Sequence, residues 1–515
     1  MTHVQTRSVV LIGTQGHLIT VEADLHDGDP HLDIIGLPPD QLRETRDRLR
    51  AAVFNSGLTW PHRGLTVGLF AACLPKAAPL LDLPIAAAIL AAADMLPPNE
   101  FADRMLIGEL SLDGRLRPAR GVLPAVLAAA DAGVARVVIP AANAIEATLA
   151  PGMTVDAVPD LAALVRLLRG QEKPTVIQPA PQGSASTAAD NSSSMDLADA
   201  PVGSRGRLAA EVAAAGGHHL LLTGDTRSGA RILAEGIPSL LPPLTDKEAL
   251  EVTAIHSAAG SLPARPNLIT RPPSCAPHRS TTTAALFGTW TSPAAIRPGI
   301  ASQAHRGLLL LTDAPEFARD VLQGLGQPLS LGHIKIPTWA TSLTLPADFQ
   351  LVLTSRPCPC QHTVGGTTCA CTPQIRRLYL SRIPTAVQEH CDLRVALPRI
   401  QPGEPHPDRG AQEPTAAVAA RVAQARQAMT SRLRRTPWQR NAQLPRPILD
   451  RFWPLPHTVL RAAQRARPDT DAATRAESTR ILRIAWTLAD LAGLDRPGID
   501  QVDLAHDLNT APSDT

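Results

Sequence analysis

HHLLLTGDTRSGARIL, residues 218–233, decides how the rest of the chain is read. His218 to Thr223 is a short apolar run of strand length. Gly224-Asp225-Thr226-Arg227-Ser228-Gly229 is a loop with a glycine at each end, and Ala230-Arg231-Ile232-Leu233 opens a helix. Strand, glycine loop and helix in this order form the layout that cradles phosphate. The glycines let backbone N–H groups curl round the oxygens, a lysine follows the second glycine, and a Ser or Thr after it holds magnesium. The glycine spacing is right. The lysine position is Ala230 and the hydroxyl position is Arg231, so the loop keeps its backbone pattern and lacks its two chemical side chains. Lysine occurs only at Lys76, Lys173, Lys247 and Lys335, so none stands nearby to substitute.

Working outward, GLLLLTD (307–313), FQLVLTS (349–355) and LRVALP (393–398) are further apolar runs without alternation, as expected of a parallel sheet covered on both faces. With helices between them they predict a doubly wound α/β unit over 202–400. Upstream, VVLIG (9–13), HLITVEADL (17–25) and LTVGLF (65–70) read as strands, and 41–57, 81–96 and 122–133 as helices. IIGLPPD (34–40) reads as a turn-rich break and 105–116 as a hairpin turning at Asp113-Gly114. Residues 1–169 are therefore a separate α/β or α+β domain. The Ser-, Ala-, Pro- and Gln-rich stretch 170–201 predicts a disordered linker. Residues 401–515 predict a helical domain, with helices at 415–435 and 474–493.

At 515 residues the chain is long enough for about three domains. Its 44% hydrophobic content excludes global disorder, and the near balance of 49 basic and 47 acidic residues excludes a uniformly basic nucleic-acid coat. The balance is local only on average. Arg421 to Arg483 holds fourteen arginines against four acids, a pattern read either as a solvated helical face or as a contact for a phosphate backbone. The apolar stretch Leu80–Leu96 is broken by Asp82, Pro84 and Asp94, so it predicts a buried helix and no membrane span. No secretory leader is read at the N-terminus. Of seven cysteines, Cys358, Cys360, Cys369 and Cys371 fall within fourteen residues, which favours a cytoplasmic chain over a disulfide framework. The quartet is either a tetrahedral zinc site, with His362 as a substitute ligand, or four reduced thiols. Cys73, Cys275 and Cys391, and the histidines His256, His278 and His305, read as core or surface residues.

Three long strings in the N-terminal domain, 34–61, 74–90 and 107–125, and in the core 213–224, 238–260, 271–278, 297–317 and 369–383, resemble the magnesium-chelatase-like AAA+ ATPases of the YifB/ComM family. The resemblance spans nearly everything but the linker. It implies a Lon-protease-like fold for residues 1–169, an AAA+ core, ATP with magnesium as cofactor, and a ring of copies, six by analogy with the family. It also implies DNA as a partner. The departures fall on the chemistry. The family loop GPPGSGKT is GDTRSGAR here, and the Walker B string LFLDE is LLLTD (309–313), with Thr312 at the magnesium aspartate and Asp313 at the water-polarising glutamate. The sensor asparagine is Arg356, the second histidine of PHH is Arg279, the arginine of LRQPLE is Gly326, and the SARG string is TRAE (474–477). Arg382, in YLSRI, matches an arginine finger. Phosphoryl transfer rests on positioning and charge stabilisation, and each lost charge costs several kcal/mol of transition-state stabilisation. The expectation is thus a pseudo-ATPase acting as a scaffold, alone or with an intact relative, or as a DNA-associated partner. The competing expectation is an active, ATP-driven DNA motor of the branch-migration type, using Asp313 and Arg382.

Overall fold

The computed structural model describes residues 2–70, 79–172, 196–200, 202–225, 228–290, 296–337, 342–360, 371–398, 413–465 and 472–509. Seven strands form the first sheet: β1 (Thr2–Ile12), β2 (Gln15–His26), β3 (His31–Ile35), β4 (Gly64–Phe70), β5 (Arg104–Leu106), β6 (Arg136–Pro140) and β7 (Thr154–Val158). Their order is β3-β4-β2-β1-β5-β6-β7. β2 runs antiparallel to both its neighbours, β1 and β4, and the remaining pairs are parallel. Along β2, Ile19, Val21, Ala23 and Leu25 are buried at every second position, the period that puts one face on the core. β3 corrects the reading of 34–40 as a break. Ile34 and Ile35 end a strand that alternates only over five residues, too short a signal beside Gly36-Leu37-Pro38-Pro39. The turn at Asp113-Gly114 does join two short antiparallel segments, Glu109–Leu110 and Leu116–Arg117.

Helix α1 (Pro39–Asn55) packs beside α2 (Asp82–Ala92), which is buried along its whole length. A helix apolar on every side belongs inside a core. Its first residue, Asp82, accepts from Arg48 Nε at 2.7 Å and Nη2 at 3.0 Å, and from the Leu110 N–H at 3.1 Å. Burial pushes the Asp82 carboxyl up to about 6 against these partners. Helix α3 (Val122–Asp131) completes the face, and α4 (Leu161–Leu168) starts where Asp160 caps the Ala163 N–H at 2.7 Å.

The second sheet is wholly parallel. α5 (Ser204–Gly216) ends at Gly217, whose φ of 70° closes the helix, and leads into β8 (Leu220–Thr223). Then follow α6 (Ala230–Gly236), α7 (Asp246–Ala259), β9 (Ser274–Cys275), β10 (Leu308–Leu311) and β11 (Gln350–Ser355). α8 (Pro373–Leu380), α9 (Thr385–His390) and β12 (Leu393–Ala396) complete the unit. The order is β9-β10-β11-β8-β12. Every residue of β8, β10 and β11 is buried, which is why those runs do not alternate. Residues 196–200, read as linker, pack with this unit. Leu197 and Ala200 are buried, and Asp196 accepts from the Thr415 N–H at 2.8 Å. Residues 173–195, the bulk of the expected linker, lie outside the described residues.

α10 (Thr415–Leu433), α11 (Ala472–Leu491) and α12 (Ile499–Leu508) make the C-terminal helical region. α10 buries Val418, Val422, Ala425, Met429 and Leu433 at helical spacing, in one cluster with α5 and α11. Between core and helices runs a buried polar chain. His218 meets Asp392 at 2.7 Å and Thr487 at 2.8 Å, and Asn441 donates to Thr487 at 3.0 Å and Asp490 at 2.8 Å. The N-terminal domain meets the core along α3 and α7. The Gly121 N–H donates to the Ser257 carbonyl at 3.2 Å, and buried Glu146 takes Ser257 Oγ, the Leu123 N–H and Asn143 Nδ2.

Candidate nucleotide site

β8 lies between β11 and β12, so its loop leaves the C-terminal edge of the sheet where the strand order reverses, the usual ligand position in such sheets. The Gly224 N–H donates to the Ser355 carbonyl at 2.9 Å, and the Leu397 N–H to Thr223 at 2.8 Å, tying the loop root to both neighbours. Ser228 closes the loop on itself, its N–H and Oγ both donating to the Asp225 carbonyl at 3.1 and 2.8 Å. A Cβ on Gly224 would stand 2.1 Å from Ser228 Oγ, so only glycine fits there. Gly229 has φ 74°, a conformation that glycine adopts without strain, and starts α6. Thr226 and Arg227 lie outside the described residues. Ala230 is buried, while Arg231 is exposed and pairs with Glu235, one turn along, at 2.8 Å.

Across β11, Thr312 and Asp313 follow directly on the end of β10. Asp313 has φ 53° and donates its N–H to Thr354 Oγ1 at 3.1 Å. Such a non-glycine residue in the left-handed region marks a turn held by its surroundings. Arg356 enters from the end of β11. Its Nε stands 3.4 Å from Asp313 Oδ1, and its Nη2 donates to Glu316 Oε1 at 3.0 Å. The Tyr379 hydroxyl donates to the same Glu316 oxygen at 3.0 Å, and the guanidinium stacks 5.9 Å from the Tyr379 ring centre. Burial, ahead of the Glu316 contact, pushes the Tyr379 phenol up to about 12, so it stays a donor. Glu316 and Tyr379 were not singled out from sequence. The available signal was a cation at 356 in a site with carboxylates at 313 and 316. Arg382 follows Tyr379 by one turn but is not brought into this cluster. It is exposed, and its guanidinium has no side-chain partner among the described residues.

The structure brings Cys358, Cys360 and Cys371 together, with all three sulfurs within 4.8 Å of one another and the Cys358–Cys360 pair at 3.0 Å. Cys369, His362 and Cys73 lie outside the described residues. Cys391 is buried, with its thiol pushed up to about 12 by burial. His305 is buried against Glu251 at 3.1 Å.

Much of the C-terminal arginine excess is used internally. Arg421 pairs with Glu211 at 2.8 Å, Arg440 with Asp348 at 3.4 Å and Arg446 with Asp450 at 2.9 Å. Arg432 chelates Asp490 and stacks 4.5 Å from the Trp486 ring centre. Arg434, Arg435, Arg451, Arg461, Arg465 and Arg475 stay exposed.

A wholly parallel sheet in this order, with a glycine loop leaving its first strand for a helix, defines a doubly wound α/β unit of the nucleotide-binding kind. Three family models match: magnesium chelatase subunit ChlI over residues 196–404, subunit ChlI of Mg-chelatase over 21–143, and the ChlI C-terminal model over 412–508. The chain belongs to the YifB/ComM family of these proteins. It is 34% identical over 485 residues to competence protein ComM of Haemophilus influenzae, covering 94% of this chain and 92% of that one. To uncharacterized protein YifB of Escherichia coli it is 33% identical over 488 residues, 95% and 93% of the two chains. An uncharacterized protein of Mycobacterium tuberculosis is 42% identical over 499 residues, 96% of each chain. Among the described residues, no helix is long and apolar enough to cross a membrane.

Proposed function

We propose that this chain is a pseudo-ATPase of its family: an AAA+ scaffold, assembling with itself or an intact relative and associated with DNA, that does not turn over ATP. The observation that carries the reading is the Arg356 cluster. Where the family has a neutral sensor asparagine, a guanidinium neutralises Asp313 and engages Glu316. The residues present do not fit a magnesium–nucleotide complex. Ala230 supplies no charge, Arg231 is turned to Glu235, and Thr312 leaves the ion without its strand-end carboxylate. The Arg356 guanidinium stands against the carboxylate that would have to orient an attacking water.

The test is calorimetric titration of the wild type with ATP, with and without magnesium, beside the triple variant Ala230→Lys, Arg231→Thr, Thr312→Asp. A silent wild type and a binding repaired variant are expected. Magnesium-dependent binding with DNA-stimulated hydrolysis by the wild type, abolished by Arg382→Ala, would instead establish an active ATP-driven DNA motor.

The cysteines fit a structural zinc ion. Thiolates are soft ligands, and three sulfurs are already within 4.8 Å; Cys369 stands two positions before Cys371 in the sequence. The ion would hold the start of α8, which follows Cys371 directly, against the strand end that carries Arg356.

A further inference from the structure

The open face of the first sheet sets two histidines side by side. In register across β2, β4 and β3 stand His26, Gly64 and His31, and the next row on the same face is Asp24, Thr66 and Asp33. The row between them, Leu25, Leu65 and Leu32, is buried and turns to the core, so both polar rows face away from it. Glycine in the middle of the first row is what lets the imidazoles meet. A Cβ on Gly64 would stand 2.3 Å from His26 Cε1 and 2.9 Å from His31 Cε1, and the two ring centres lie 5.3 Å apart over the bare backbone.

Hydrogen bonds fix which nitrogen of each ring is open. His31 Nδ1 donates to the Asp29 carbonyl at 2.7 Å, and His26 Nδ1 to the Asp27 carbonyl at 3.4 Å. A carbonyl only accepts, so in the neutral rings both Nε2 atoms keep their lone pairs. A backbone carbonyl holding Nδ1–H is the usual support of a metal-binding histidine. His31 Nε2 faces Asp33 Oδ2 at 3.8 Å, acceptor against acceptor, and two metal–ligand bonds of about 2.1 Å span such a gap. Arg46 reaches the other oxygen of Asp33 at 3.8 Å and leaves Oδ2 to the histidine. His26 Nε2 takes the Thr66 hydroxyl at the long distance of 3.4 Å, a contact that a cation displaces readily. Imidazole nitrogens with a carboxylate suit zinc and its neighbours, whereas calcium and magnesium take oxygen ligands.

We propose that His26, His31 and Asp33 bind a divalent transition-metal cation, zinc foremost, on the open face of this sheet, with Asp24 and water completing its shell. The ion clips the edge strand β3 to β2, which β3 does not border in the sheet, across the bare middle of β4. Open to solvent, the site exchanges its ion and fills only when free zinc is present, unlike a closed thiolate site. It stands apart from both the cysteines and the nucleotide loop.

Calorimetric titration with zinc chloride tests it, on the chelator-stripped full chain carrying Cys358→Ser and Cys371→Ser so that the cysteines do not compete. This chain takes up one zinc. His26→Asn and His31→Asn each weaken binding at least tenfold, and the two together abolish it. Gly64→Ala is the sharper variant. Gly64 lies outside the left-handed region, so its backbone accepts alanine, and every ligand is kept. The added methyl parts the rings and weakens binding, which zinc caught on scattered surface histidines does not notice. Free zinc also raises Tm in the parent chain and leaves the double histidine variant unmoved. The metal-free Tm of the histidine variants stays at the parent value, since neither side chain is buried, and this separates a lost ligand from a lost fold. No zinc uptake, uptake indifferent to the histidine substitutions, or uptake at full strength in Gly64→Ala would each overturn the proposal and leave His31 and Asp33 as a plain surface pair.

Discussion

Arg356 Nε stands 3.4 Å from Asp313 Oδ1 while its Nη2 holds Glu316 at 3.0 Å, so one guanidinium joins the ends of two neighbouring strands through two carboxylates. The pair is partly shielded, Arg356 being 17% exposed in its side chain. Charged hydrogen bonds in such surroundings contribute more than surface ion pairs.

Arg356→Asn, which restores the family's sensor residue, removes the neutralising charge and leaves Glu316 to Tyr379. A loss of about 1–3 kcal/mol is expected, read as a fall of about 2–6 °C in Tm by differential scanning fluorimetry. Added to the repaired triple variant, it should tighten ATP binding, because Asp313 is then unpaired. An unchanged Tm with unchanged affinity would mean that the cluster holds nothing.

Cys358→Ser tests the metal. Wild-type protein purified without chelator should carry about one zinc per chain by elemental analysis, and the variant much less, since a three-sulfur site loses most of its affinity. Equal zinc in both would assign the cysteines to plain reduced thiols.

His219 predicts a pH dependence. Its Nδ1 accepts the Leu351 N–H at 2.9 Å, which requires the neutral ring, and burial lowers its pKa from 6.5 to about 4. The unfolded chain takes up the proton first. The stabilisation is therefore complete above about pH 6.5 and is lost as pH falls toward about 4, up to about 3 kcal/mol. His219→Asn keeps an acceptor and should flatten the change in urea midpoint between pH 7 and pH 4.5 relative to wild type. An unaltered slope would place the titration elsewhere.

Arg432→Ala leaves Asp490, 7% exposed, with Asn441 as its remaining named partner. Removing one member of a buried pair costs about 3–5 kcal/mol. Because Arg432 also covers the Trp486 ring, unfolding followed by tryptophan emission reports the loss directly. Asp490→Asn should cost less, since it removes the charge and keeps a hydrogen-bonding group.

The apolar strands β8, β10 and β11 were legible as uninterrupted runs because burial on both faces removes alternation. The loop 224–231 was legible because only glycine fits at 224 and suits 229. The edge strand β3 was not, since five residues beside a Gly-Leu-Pro-Pro turn give too few periods to count. Arg356 was visible as a departure, yet its partners were not. Glu316 and Tyr379 lie 40 and 23 positions from it in the chain, and only the sheet order brings them within hydrogen-bond reach. The internal partners of several C-terminal arginines were hidden for the same reason. Their neutralising acids, Glu211, Asp348 and Asp392, come from the preceding unit.

The carboxylate of Glu146 carries a consequence for anyone dividing this chain. It belongs to the N-terminal domain but satisfies Ser257 of the core, and Gly121 donates across the same seam. A cut between residues 172 and 196 gives two fragments, each with a freshly bared seam. One would display a carboxylate built for shelter, the other a serine and a carbonyl stripped of their mates. The two halves should be purified together, since the seam between them, and not only the peptide from 172 to 196, fastens one to the other.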